Sequence, residues 1–272
     1  MAIGSSFEAL LDYTLSRGEH KGQTIREAVR RDLRKAISRR KDLEEHKYPP
    51  GVLRLILDLV VSRSYFLESR VQKLGDKLKQ ELGDESGLTV DFLTTSKCEA
   101  LLREFGVEDK VKKLAKQLVS TSLRQWLQNR HVKRTQKDNK DVLLKELSLG
   151  DKGIDELLRD CGYFDRVPID IHEQRFQVRT GIFQQYSPSC DPLDKREYHE
   201  ALVHFCRNEL GGLKLSNRSL DNSPGIVDWA IRYFCSKGNG RICGDVPQCV
   251  ICPLSHECQF GVNKLSREPG DA

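Results

Sequence analysis

Apolar residues along the chain recur mostly at intervals of three and four positions, which is the period of an amphipathic helix. Continuous runs of β-branched residues, typical of buried strands, are scarce. The pattern predicts helices over residues 7–15, 51–82, 96–106, 107–129, 140–147, 154–162, 171–183, 197–210 and 223–235. Turn-forming residues interrupt it at 49–51, 83–87, 150–153, 187–192 and 211–224. We therefore expect a nearly all-α protein whose loops carry the chemistry.

Length and composition limit the class of protein but do not identify a binding partner. The chain has 272 residues, enough for one large domain or two modest ones, and its net charge is only +5. No stretch approaches the length of a membrane span, and the first twenty or so residues lack the apolar core of a secretory signal. We expect a protein with no membrane partner that is not secreted. Its place would be the cytoplasm or nucleoid of a prokaryote, or the nucleus of a eukaryote.

The positive charge is unevenly distributed. Residues 21–41, KGQTIREAVRRDLRKAISRRK, are strongly basic and contain few acids. Such a stretch is either the solvated face of a helix or a surface that follows phosphates and releases their counterions. The sequence leaves both interpretations open.

Four of the nine cysteines fall within residues 243–258, CGDVPQCVICPLSHEC. Without a secretory signal they indicate metal ligands rather than disulfides. Structural four-cysteine zinc sites usually use two C-x-x-C pairs, whereas this pattern, C-x5-C-x2-C-x5-C, has one and suits a wider [4Fe–4S] cluster. Zinc remains the alternative. The expected ligands are Cys243, Cys249, Cys252 and Cys258, with Cys235 close enough in sequence to compete for the first position.

Two further motifs give these cysteines a context. Residues 166–181, RVPIDIHEQRFQVRTG, place an aspartate, Asp170, and a histidine, His172, at the start of a predicted helix. Residues 147–165, LSLGDKGIDELLRDCGYFD, place Lys152 eighteen positions before Asp170. Together with the cysteine spacing, these segments resemble the endonuclease III family of DNA glycosylases. Residues 157–172 are also similar to archaeal 8-oxoguanine DNA glycosylases.

The resemblance implies an all-α, two-domain helix-hairpin-helix glycosylase fold, with a DNA cleft between the domains. Residues 51–163 would form a helical barrel domain that ends in the hairpin. Residues 1–50 and 164–272 would form a helical domain with the [4Fe–4S] loop. The expected partner is double-stranded DNA with a damaged base or an abasic site, bound by a monomer.

The resemblance also implies roles for single residues. Lys152 would attack C1′ of the deoxyribose and form a Schiff base, assisted by Asp170. Gly150 and Gly153 of the hairpin would let the backbone approach a phosphate, and Arg63 or Tyr65 would fill the gap left by the flipped base. His172 would bind a phosphate, cap the helix or have a structural role.

The chain departs from the family at two places. The hairpin lacks the usual proline and first glycine, and the loop between the first two cysteines is one residue short and has no Lys or Arg. DNA contacts near the cysteines would therefore come from Lys237 and Arg241.

Two alternatives remain open. A monofunctional glycosylase would use Asp170 to activate water, without attack by lysine. A non-catalytic protein would bind DNA with a zinc-stabilised fold and need neither Lys152 nor Asp170.

Overall fold

A computed structural model gives the structure of residues 3–62, 67–135, 149, 151–187 and 194–265. The regular secondary structure of these residues is almost entirely helical, which confirms the all-α class. In this part of the chain, no helix combines the length and the apolar character needed to cross a bilayer. The predicted helix over 140–147 lies outside the described residues.

The chain forms two compact units: Met1–Arg34 with Phe164–Ala272, and Lys35–Tyr163. A long helix, Ile25–Glu45, begins in the first unit and ends in the second.

The first unit also contains the α-helices Phe7–Leu11, Ile171–Thr180, Ile182–Tyr186, Lys195–Glu209, Pro224–Cys235 and Gln259–Leu265, and the 3-10 helix Cys249–Ile251. Its core includes aromatic rings that meet edge to face, with centroids 6.1 Å apart for Phe7 and Phe205 and 6.4 Å apart for Phe176 and Phe234. A two-residue antiparallel pair, Lys214–Leu215 with Arg218–Ser219, was not predicted because such short strands leave no periodic pattern.

The second unit contains the α-helices Pro50–Val61, Leu67–Leu82, Val90–Leu93, Ser96–Arg103, Glu108–Ser120, Leu123–Thr135 and Asp151–Asp160, and the 3-10 helix Glu85–Gly87. Their apolar faces share one core, which runs in sequence from Leu43 to Tyr163.

Local side-chain chemistry fixes several helix ends. The hydroxyls of Thr89 and Thr95 accept backbone N–H groups of the helices that follow them. The helix predicted over 107–129 is wrong as one element: Thr121 has extended backbone, and Ser122 Oγ accepts the N–H of Gln125 at 3.2 Å to start a new helix. A hydroxyl at such a position competes with helical hydrogen bonding, which explains the break.

Candidate active site and cysteine loop

Asp170 begins the helix Ile171–Thr180, here called the capped helix. Its backbone is extended, and its Oδ1 accepts a hydrogen bond from the backbone N–H of His172 at 2.7 Å. In return, Glu173 Oε2 accepts the backbone N–H of Asp170 at 3.1 Å. The two side chains form a capping box, which satisfies N–H groups that the first turn leaves without helical partners. The carboxylate of Asp170 is therefore half-buried, with one oxygen fixed at the N-terminal end of a helix.

The segment before Asp170 is extended because of its own sequence. Pro168 disfavours helical backbone at the residue before it, Val167. A few residues earlier, the carbonyl oxygen of Phe164 accepts the N–H of Gly225 at 2.8 Å, which joins the segment to a second helix. The proline and this hydrogen bond together constrain the backbone that leads to Asp170.

Behind Asp170 lies a group of buried acids that the sequence analysis missed. Glu173 and Asp228, on the helix Pro224–Cys235, are each only 1% exposed. Burial raises the pKa of Glu173 well above its ordinary value, and the neighbouring Asp228 and Asp170 raise it further. The neutral form of the Glu173 carboxyl is therefore favoured over the charged form. The D-x-x-E spacing before a helix was the signal for Glu173, and a single acid in the apolar run SPGIVDWAIRYFC was the signal for Asp228.

The cysteine loop, residues 243–258, follows the helix Pro224–Cys235 in sequence. Backbone hydrogen bonds fold it tightly, among them Cys258 N–H to Leu254 O at 2.7 Å and Gln248 N–H to Ile242 O at 2.9 Å. Three of its thiols are buried and that of Cys252 is half-buried. The cysteines of the described residues are free thiols, namely Cys98, Cys161, Cys206, Cys235, Cys243, Cys249, Cys252 and Cys258.

The loop thiols affect one another electrostatically. Burial raises the pKa of Cys252 to about 12, and Cys243, Cys258 and Cys249 each contribute to the rise. A hydrogen bond with Cys235 lowers the pKa of Cys243 to about 7. Cys235, predicted as a competing ligand, thus lies beside the first thiol of the loop.

The donor types of this loop agree with the predicted cofactor. Four reduced, largely buried sulfurs from one loop are the ligands that an iron–sulfur cluster uses, and a zinc ion accepts the same type. Within the described ranges, no three His, Cys, Asp or Glu side chains are arranged so that they could hold a metal ion. The residue types and their burial fit a four-thiolate centre, and its identity stays a prediction.

The C-terminal half of the capped helix holds the cysteine loop. Arg179 Nη1 donates to the carbonyl oxygen of Gly244 at 2.6 Å, and Nη2 donates to that of Asp245 at 3.2 Å. Arg175 forms a salt bridge with the Asp245 carboxylate at 2.6 Å. At the other end of the loop, Cys258 Sγ donates to the carbonyl oxygen of Arg179 at 3.2 Å. One helix therefore joins Asp170 to both ends of the loop.

The two predicted basic contacts beside the loop have different surroundings. Lys237 is exposed, and its Nζ lies 3.0 Å from Asp245 Oδ2, so a loop acid partly neutralises it. Arg241 is half-buried and has a positive φ of 56°, a conformation unusual for a residue with a side chain. The loop itself exposes apolar rather than basic side chains, with Val246 and Val250 both more than 70% exposed.

Lys152 belongs to the other unit, in the first turn of the helix Asp151–Asp160, and its side chain is half-buried. Gly153 follows it, and a Cβ added there would lie 3.3 Å from Leu149 Cδ2, so close packing accounts for this glycine. Asp170, His172, the four loop cysteines, Lys237 and Arg241 share the first unit. The predicted contacts Gly150, Arg63 and Tyr65 lie outside the described residues.

The basic stretch 21–41 lies largely in the helix Ile25–Glu45. Several of its cations are paired with acids: Arg26 with Asp12 at 2.7 Å, and Arg40 with Glu44 at 3.5 Å. This pairing supports the interpretation as a solvated helix face over part of its length.

Comparisons with known proteins give one structural similarity. The chain is similar to the solved structure of a trapped endonuclease III–DNA covalent intermediate, an estranged-adenine complex, with a TM-score of 0.43 and 16% sequence identity. The match covers 87% of this chain and 98% of that chain. No protein-family model and no curated protein matches the chain.

Proposed function

We propose that the protein is a DNA glycosylase with abasic-site lyase activity that acts on damaged bases in double-stranded DNA. The observation that carries this proposal is the Asp170 carboxylate, held half-buried at the start of a helix by a capping box. In sequence, Lys152 stands eighteen positions before it, at the start of another helix.

The proposed reaction begins when the damaged nucleotide rotates out of the duplex. The neutral amine of Lys152 attacks C1′, and the bond between C1′ and the base breaks. Its electron pair leaves with the base, which takes up a proton. The bound amine loses one proton, the C1′–O4′ bond of the sugar ring breaks while O4′ takes up a proton, and the nitrogen then holds C1′ as a protonated Schiff base. Removal of a proton from C2′ then expels the 3′ phosphate and cuts the strand.

Asp170 acts on this reaction in two ways. Its ionised carboxylate stabilises positive charge on the sugar while the base leaves, and it accepts a proton from the attacking amine. Its Oδ1 accepts the backbone N–H of His172, and the residue keeps partial solvent exposure, which would let the carboxylate approach a sugar.

Cys243, Cys249, Cys252 and Cys258 would hold a [4Fe–4S] cluster, which braces the loop and supplies no step of the base excision. Zinc, bound by the same four thiolates, is the alternative cofactor. DNA contacts near the loop come from Lys237 and Arg241. Candidate lesions are an oxidised pyrimidine, 8-oxoguanine, uracil or a mismatched thymine.

Borohydride trapping tests the proposal most directly. The protein would be incubated with duplexes that each carry one lesion or an abasic site, with and without borohydride. We expect a covalent adduct with at least one duplex, lost in Lys152→Ala and reduced at least tenfold in Asp170→Asn. Base release without an adduct would indicate the monofunctional enzyme. Specific binding with neither base release nor strand cleavage would indicate the non-catalytic DNA-binding protein.

A further inference from the structure

The buried acid behind Asp170 has no role in the reaction proposed above, yet it touches the proposed catalytic residue. Glu173 Oε2 accepts the backbone N–H of Asp170 at 3.1 Å, and Glu173 also interacts with the side chains of Asp170 and Asp228. Glu173 and Asp228 are almost completely buried. Three carboxyl groups therefore meet where solvent reaches only Asp170 to a substantial extent.

Simple electrostatics limits how many of these groups carry charge. Buried carboxylates lose hydration, and adjacent like charges repel most strongly where water is excluded. If Glu173, which interacts with both Asp170 and Asp228, is neutral, it avoids both the loss of hydration and the repulsion. It still accepts the Asp170 N–H through its carbonyl oxygen, and its hydroxyl is a donor for a neighbouring carboxylate.

We propose that Glu173 is a positioning residue for Asp170. It fixes the Asp170 backbone through the cap hydrogen bond, and it keeps a second negative charge away from the Asp170 carboxylate. This inference rests on the proposed function, because it assigns Glu173 a role in orienting the carboxylate that acts on the sugar.

The assignment carries a pH dependence. The groups that interact with Glu173 include Asp170 in its own segment, and Asp228 and Cys235 on the neighbouring helix Pro224–Cys235. Arg175, two residues after Glu173 on the same helix, forms a salt bridge with Asp245. When the pH is high enough to ionise Glu173, a new negative charge appears beside Asp170 and Asp228. Repulsion between these negative charges then weakens the hydrogen bond between Glu173 and the backbone N–H of Asp170.

The test compares Glu173→Gln with Glu173→Ala in single-turnover cleavage of abasic-site DNA from pH 5.5 to 9.5. Glutamine keeps the acceptor for the Asp170 N–H but cannot ionise, whereas alanine removes the acceptor. We expect Glu173→Ala to lower the rate constant at least tenfold with little change in DNA affinity. Glu173→Gln should restore at least a third of the wild-type rate at pH 6.5. For each protein, the rate constant at pH 9 is divided by its rate constant at pH 6.5. We expect this ratio to be at least threefold larger for Glu173→Gln than for the wild type.

Two results would overturn the assignment while leaving the proposed function intact. One is a Glu173→Ala rate within twofold of the wild type. The other is a Glu173→Gln rate as low as that of Glu173→Ala, which would mean that the ionised carboxylate is required. Glu200→Gln, which removes an exposed carboxylate from the helix Lys195–Glu209, is the matched control.

A second measurement separates this inference from the proposed function. The melting temperatures of Asp170→Asn, Glu173→Gln and the double variant form a cycle that needs no activity. We expect the two single shifts to be non-additive, because the side chains interact. Additive shifts would overturn the inference. An inactive wild type would overturn the proposed function alone.

Discussion

Arg179 holds Cys243 through both the backbone and the thiol. Its Nη1 donates to the Cys243 carbonyl oxygen at 3.3 Å and lies 3.7 Å from the Cys243 Sγ. The same guanidinium also bonds the next two carbonyl groups of the loop. A planar fork of donors suits such an array, which a single ammonium group cannot reproduce.

The first prediction concerns this fork. We expect Arg179→Lys and Arg179→Met each to destabilise the fold by about 2–3 kcal/mol, because hydrogen bonds from a charged group are lost and carbonyl groups lose partners. Chemical denaturation followed by circular dichroism measures the change. Arg196→Lys, whose exposed side chain pairs with Asp194, should change the free energy of unfolding by less than about 0.5 kcal/mol. Equal effects at the two positions would contradict the role given to Arg179.

The second prediction follows from the buried acid. The raised pKa of Glu173 means that the folded chain keeps a proton which the unfolded chain releases above about pH 4.3. The stability contributed by this group therefore falls as the pH rises from that value towards the folded pKa. We expect Glu173→Gln to melt at a higher temperature than the wild type at pH 7.5, and the difference to shrink towards pH 4.

The measurement is a series of thermal melts at fixed ionic strength. Between the unfolded and the folded pKa of Glu173, the difference in free energy of unfolding between Glu173→Gln and the wild type should grow by on the order of 1.4 kcal/mol for each pH unit. A difference that does not vary with pH would show that Glu173 is ionised in the folded protein.

The third prediction concerns Gln177, one turn beyond Glu173 on the capped helix. It is completely buried, and neither its Nε2 nor its Oε1 has a hydrogen-bond partner within the structure of the described residues. Leaving a buried amide without partners is unfavourable, and an apolar side chain of similar shape removes that penalty. We expect Gln177→Met to stabilise the fold by about 1–2 kcal/mol in denaturant titrations. A loss of stability would mean that the amide is hydrogen-bonded in solution.

The fourth prediction concerns the thiols. If the four thiols hold a [4Fe–4S] cluster, the purified protein contains roughly four iron atoms and four sulfides per chain. If they hold zinc, it contains about one zinc ion per chain. Elemental and sulfide analysis distinguishes the two. We expect Cys249→Ser to lose most of the metal, whereas Cys98→Ala, which changes a buried thiol of the second unit, retains it. Full metal content in Cys249→Ser would exclude Cys249 as a ligand.

The fifth prediction concerns charge beside the loop. Asp245 interacts with Lys237 and Arg175, and Lys237 above all lowers the pKa of the Asp245 carboxyl. Asp245→Asn should release both cations and raise the affinity for undamaged duplex DNA about two- to fivefold. Each new phosphate contact should steepen the logarithmic salt dependence by about 0.9. An unchanged salt slope would place this surface away from DNA.

The sequence was informative where a short segment determines its own structure. Periodicity predicted most helices, and the predicted start of the capped helix at residue 171 is where the structure begins it. The same period did not reveal the break at Thr121, since a local hydroxyl interaction competes there with helix continuation.

Interactions between distant segments were beyond the sequence patterns. Asp228 lies fifty-five positions after Glu173, and nothing in either motif indicates that their carboxyl groups meet. Likewise, the hydrogen bonds from Arg179 to residues 243–245 depend on how two helices and a loop pack. Lys237 was predicted as a DNA contact from its charge alone, and its pairing with Asp245 depends on the folded loop.

The capped helix has Asp170 at one end and the anchors of the cysteine loop at the other. Ten residues of α-helix measure about 15 Å, so the helix acts as a lever. A tilt of about 5° at the loop end would displace the Asp170 end by about 1 Å, and a misplacement of that size can cost an enzyme about 100-fold in rate. Residues of the loop that never contact a substrate can therefore determine how fast one reacts.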